Sequence, residues 1–121
     1  MDNIGIERAD IKDIQAILFV INKSNGEAYR KIIQPEYFKE PVLTPDELLK
    51  EFEEMTFYTY KIEGVTIGVA ALKMTEDEKV GQLRWVYVLP EHQRKGVGTS
   101  LINYIEKYAV KIRLKKLKSV D

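Results

Sequence analysis

The 121-residue chain has no cysteine, one histidine and one tryptophan. Without cysteine there is no disulfide, no thiolate metal site and no cysteine nucleophile, and the redox compartment stays open. With His92 alone, a histidine-based zinc site and a Ser-His-Asp triad both lack partners. Neither sign of charge prevails: 19 Lys and Arg balance 19 Asp and Glu, so no global field draws in nucleic acid. No run approaches ~18 apolar residues, and the opening "MDNIGIERAD" lacks a basic-then-apolar signal pattern. The expectation is a cytoplasmic chain that stays off the membrane. Apolar residues at 45% and charged residues at 31% fit a soluble globular protein, and the length suits one domain, 1–121, with one core.

The charges that balance overall are unevenly placed. From Glu36 to Glu54 seven acids face two lysines, whereas from His92 onward eight Lys and Arg face two acids. Along the chain, Ile4 to Ala9 reads as a short strand. Asp10 then suits the N-cap of a helix from Ile11 to about Lys23, with Ile14, Ile17, Leu18 and Ile21 at helical spacing. "KSNGE" reads as a break, followed by a second, weaker helix over Glu27 to Ile33. "TPDELLKEFEEM" is the clearest helix start, with Thr44 as N-cap, Pro45 at the first position and Glu47 closing a capping box.

After Met55 the apolar period changes from helical spacing to alternation. Phe57–Ile62 and Val65–Met74 read as strands joined by a tight Glu63-Gly64 turn, and Val80–Leu89 as a third. Thr99 to Leu114 returns to helical spacing, and "LKSVD" begins another strand. The predicted order is β-α-α-α-β-β-β-α-β, an α/β (α+β) sandwich around a mainly antiparallel sheet.

Few glycines occur, yet two stand one residue apart in "VLPEHQRKGVGTSL", Val88 to Leu101. A strand that passes through Gly-x-Gly straight into a helix presents unpaired N–H groups at the helix N-terminus. Glycine allows close approach of a ligand to the backbone, and the helix dipole favours an anion there. Arg94 and Lys95 add positive charge, and Thr99 and Ser100 add hydroxyls. From the glycines alone, an ordinary strand-to-helix turn explains the stretch as well as a phosphate site does. The spacing fits neither Walker A nor the dinucleotide fingerprint, since one residue separates the glycines and Leu101 stands where a third would.

The stretch as a whole resembles motif A of the GNAT family of acyl-CoA N-acyltransferases. Val86-Tyr87-Val88, Pro90, then Gln93-Arg94-Lys95-Gly96-Val97-Gly98 follow that family's strand, proline, Gln/Arg-x-x-Gly-x-Gly/Ala loop and helix. The resemblance implies a GNAT-like fold, with acetyl-CoA as cosubstrate and no metal. It implies that the backbone from Arg94 through Thr99 holds the pyrophosphate, that Gln93 faces the loop, and that Val86, Tyr87 and Val88 pair with the pantetheine arm like an added strand. The acceptor it implies is a primary amine, on a small molecule or on a protein or peptide.

The family's last third, with its final helix and strands, has no counterpart before Asp121. The strand window Val80 to Trp85 carries no acid, so the general base is absent from its usual place. Glu78, in the preceding turn, is the nearest carboxylate, and a solvated turn charge is its plainer reading. Tyr87 is a candidate general acid, though a tyrosine on such a strand more often packs in the core. Two rivals remain beside the acetyltransferase. One is a non-catalytic CoA-binding or interaction module derived from a shortened relative. The other, nucleic-acid binding through the basic tail, lacks an aromatic platform. An uncovered "LKSVD" strand predicts a homodimer through this C-terminal edge.

Overall fold

In the computed structural model, which describes residues 4–32, 43–76 and 79–119, one five-stranded sheet carries helices on both faces. Its strands are β1 (Ile4–Arg8), β2 (Thr56–Ile62), β3 (Val65–Met74), β4 (Val80–Val88) and β5 (Lys116–Ser119), and they lie side by side in that order. The first four pair antiparallel, and β5 joins β4 in parallel. Helices α1 (Ile14–Ile32) and α2 (Pro45–Glu54) cover one face, and α3 (Val97–Lys111) covers the other.

Local chemistry explains most boundaries. Thr44 Oγ1 accepts from the Glu47 N–H at 3.2 Å, and Glu47 Oε1 accepts from the Thr44 N–H at 3.0 Å. Two N–H groups left over at the start of α2 are thus satisfied by its own side chains. Glu63 and Gly64 both have positive φ, as the two-residue hairpin turn between β2 and β3 demands.

The expected break at "KSNGE" does not occur. The two helices predicted over Ile11–Lys23 and Glu27–Ile33 are one, preceded by a 3-10 turn (Ile11–Asp13) that Asp10 caps. Ile17, Val20 and Ile21 are fully buried in the core, which anchors α1. One interior glycine costs a helix about 1 kcal/mol, too little to stop one held by such burial. Ser24, which belongs to the supposed break, donates its hydroxyl to a distant carbonyl instead of capping locally. The observed order is therefore β-α-α-β-β-β-α-β.

Phe57, Val69 and Leu48 complete the core beneath α1 and α2, and Leu101 and Ile105 fill it beneath α3. At Gly68 an added Cβ would stand 2.8 Å from Val97 Cγ1 and 3.2 Å from Leu101 Cδ1, so the first turn of α3 sits directly on the sheet. That contact fixes where the N-terminus of α3 lies relative to β3 and β4. On β2, one residue past the partner of Gly68, Lys61 Nζ joins Glu7 at 2.7 Å and Asp13 at 3.1 Å. Burial pushes the Asp13 carboxyl up, but the Asp10 N–H and the Lys61 ammonium outweigh it and hold its pKa below the ordinary 3.8.

Candidate functional site: a bulged strand and an uncapped helix

The candidate site begins with an irregularity in β4. Ala71 pairs with Arg84 but Val69 pairs with Tyr87, so Ala70 alone faces both Trp85 and Val86. Two residues opposite one make a β-bulge, and Trp85 takes a left-handed φ of 53° there. The apolar parity of the strand slips here: Leu83 is buried and Val88 Cγ2 lies against the start of α3 at Gly98, an odd number of residues further on. Pairing with β5 covers only Val80 to Leu83. Beyond the bulge, β4 has no strand on its outer side among the described residues.

Which backbone groups face that open side follows from the ladder. The Leu89 N–H donates to Ile67 O at 2.9 Å. Alternation along an antiparallel pair then turns the polar backbone of Tyr87 toward β3, and that of Val86 and Val88 outward. Val88 O is already engaged, accepting from Ser24 Oγ at 2.9 Å and Gln93 Nε2 at 3.1 Å.

After β4 the chain makes a 3-10 turn (Pro90–His92) and enters the glycine loop. Arg94 and Gly96 have φ of 65° and 82°, and these two left-handed residues swing the chain into α3. Gly96 occupies the N-cap position with no side-chain hydrogen bond, and the first intrahelical bond runs from the Ser100 N–H to Gly96 O. The N–H groups of Val97, Gly98 and Thr99 therefore start the helix without a capping side chain. Arg94, Lys95 and Thr99 are exposed around them, and among the described residues neither cation forms an ion pair. A Cβ at Gly98 would meet only Val88 Cγ2, at 3.8 Å, so no neighbour within the chain requires a glycine there. The strand end, the turn and the helix start thus bring Val86, Val88 and 93–99 to one edge.

The proposed proton-transfer groups are placed less favourably. Tyr87 is half-buried, its ring 6.2 Å from that of Trp85. Glu78 lies outside the described residues. Tyr104, a tyrosine of α3, packs 5.6 Å from the Tyr58 ring on β2, two strands from the open edge of β4. Burial pushes the Tyr58 hydroxyl itself up. Two residues escaped sequence reasoning. Ser24 reaches Val88 across 64 positions, and no local pattern signals that contact. Trp85 reads as packing, yet it forms the bulge, and its buried indole N–H has no hydrogen-bond partner. The parity slip from Leu83 to Val88 is the one sequence signal that marks it.

Among the described residues no cluster of three His, Asp or Glu could hold a metal ion, and no helix is long and apolar enough to cross a membrane. No curated protein matches the sequence. Solved structures do match the fold. A PaiA N-acetyltransferase from Thermoplasma acidophilum, crystallised with coenzyme A, superposes with a TM-score of 0.80 at 23% identity, over 93% of this chain and 75% of its own. A GNAT family acetyltransferase from Brucella melitensis, crystallised with acetyl-CoA, gives 0.75 at 15% identity, over 98% and 76%. The ribosomal-protein-S18-alanine N-acetyltransferase of Escherichia coli gives 0.73 at 15%, over 95% and 64%. These likenesses concern the fold. The sequence itself matches the profile of the Acetyltransferase (GNAT) family over residues 26–121, most of its length, and the chain belongs to that family of acetyltransferases.

Proposed function

We propose that the protein is an acetyl-CoA-dependent N-acetyltransferase that acylates a primary amine by direct attack. The observation that carries this reading is the uncapped start of α3 beside the bulged end of β4, which no described strand covers on its outer side. The N–H groups of Val97, Gly98 and Thr99 and the side chains of Arg94 and Lys95 suit a pyrophosphate. With no side chain at Gly98 the phosphates can approach the backbone, and the outward edge of β4 at Val86 and Val88 takes the pantetheine arm as a strand takes a neighbour. Relatives of the same fold were crystallised with coenzyme A and acetyl-CoA.

In the reaction the amine nitrogen forms a bond to the thioester carbonyl carbon, the C–S bond breaks, and the thiolate leaves with coenzyme A. The attacking nitrogen loses one proton and the thiolate gains one. Tyr87 is the candidate donor to sulfur, because it lies on the strand that would carry the arm. Glu78 is the candidate base, and β4 itself has no carboxylate between Val80 and Val88. That lack of an acid favours a second reading, a CoA-binding module without catalysis. The acceptor is a small-molecule, peptide or protein amine. A homodimer through the outer edge of β5, beside the exposed Val110, belongs to the same proposal.

Calorimetric titration with CoA, together with a thiol-release assay over a panel of amines, tests the reading. Binding with amine-dependent thiol release supports the enzyme. Binding with release no faster than hydrolysis supports the module, and no binding removes both.

A further inference from the structure

Val88 O is one of the two carbonyls that β4 turns outward beyond the bulge, yet it already holds two hydrogen bonds. Ser24 Oγ donates to it at 2.9 Å and Gln93 Nε2 at 3.1 Å, one for each lone pair. The two donors come from opposite directions along the chain. Ser24 is on α1, only 7% exposed, and Gln93 is the residue that leaves the 3-10 turn for the glycine loop. The carbonyl thus ties α1, the end of β4 and the loop at one oxygen. A buried serine hydroxyl is not forced to serve this way, since in a helix it usually bonds to its own i−4 carbonyl.

We propose that Ser24 is a positioning residue for the acyl-bearing arm of the ligand, acting through Val88; this rests on the acetyl-CoA reading above. With both lone pairs of Val88 O occupied, this end of β4 offers an incoming arm a donor but no acceptor. An amide N–H of the arm is then accepted at Val86 O, the other outward carbonyl. That choice sets the register of the arm along β4, and therefore how far the thioester reaches past the bulge at Trp85. Ser24 touches neither the arm nor the phosphates. It fixes the strand end against which the arm is measured.

The adenine-pyrophosphate end of the ligand does not use this strand, which separates the inference from the site assignment. Affinities are measured by calorimetry for CoA and for 3′-phosphoadenosine 5′-diphosphate, which lacks the arm. In Ser24→Ala, CoA affinity falls about three- to tenfold, the range of one neutral hydrogen bond, while affinity for the nucleotide fragment is unchanged. Ser24→Thr, which keeps the hydroxyl, restores part of the loss. Ser24→Cys, close to serine in size but a weaker donor, gives a smaller loss of the same selective kind should Ser24→Ala fold poorly. Equal losses for both ligands, or CoA affinity unchanged or improved in Ser24→Ala and Ser24→Cys, overturns the inference while leaving the CoA site standing. Failure of the unmodified protein to bind either ligand overturns the site as well.

Discussion

Helices α2 and α3 start in opposite ways. The first turn of α2 is closed by its own residues: Thr44 and Glu47 exchange hydrogen bonds, Pro45 removes one surplus donor, and Asp46 and Glu47 supply negative charge at the positive end of the dipole. The first turn of α3 has none of these. A left-handed glycine stands at the cap, no acid is present in the turn, and Arg94 and Lys95 stand just before it. Positive charge beside the positive end of a helix is unfavourable for stability. It becomes favourable when an anion arrives. One helix start is finished by its sequence, and on the proposed reading the other is finished by the ligand.

The largest test of that contrast is Gly98→Val. Its Cβ finds only ordinary contact within the chain, so the fold should survive while the side chain occupies the space a phosphate needs. CoA affinity should drop at least about 100-fold with the melting temperature nearly unchanged, because a side chain in van der Waals range denies the backbone approach. Gly96→Val is the poorer probe, since its φ of 82° strains any side chain. Retained CoA affinity in folded Gly98→Val would break the comparison outright.

Arg94→Ala comes next, at roughly 1–2 kcal/mol of CoA binding, as one charge-assisted contact among several is lost. The loss should shrink as salt rises, because Arg94 is exposed. The matching change at the other helix, Thr44→Ala, should lower stability by about 1 kcal/mol in denaturant melts and leave CoA affinity alone. A ligand effect there would mean the two helix starts are not independent.

The smallest effect is on the acid limb of stability. Hydrogen bonds from Thr44 hold the Glu47 carboxyl below its ordinary 4.5, and Asp13 lies below 3.8 through the contacts described above. Both pKa values are lower folded than unfolded, so the stabilisation is complete above the unfolded values and is lost as pH falls through the folded ones. Glu47→Gln and Asp13→Asn should each flatten part of the stability loss below about pH 5 in urea melts followed against pH. An unchanged acid limb in both variants would show that other carboxylates control it.

The same division runs through what could be read in advance. The capping box of α2, the Glu63-Gly64 hairpin turn and the Gly96-Val97-Gly98 loop were legible because each depends on residues within a few positions of one another. The pairing order of the hairpin strands followed from the shortness of their turns. The α1 helix was misread at "KSNGE" because serine, asparagine and glycine signal a stop locally. Burial of the helix's apolar face against β3 and β4 overrides that signal.

By itself, then, the sequence determined the elements whose hydrogen bonds close locally: where α2 begins, where β2 turns into β3, and that a helix follows the glycine loop, though the expected start at Thr99 lies two residues past the observed one at Val97. Tertiary structure alone decided the continuity of α1, the bulge at Trp85, the parallel docking of β5 on the first half of β4, and the meeting of Ser24 and Gln93 on Val88 O. Each of these turns on partners far apart in the chain, and a donor or an apolar face chooses a distant partner only once packing has brought it within reach.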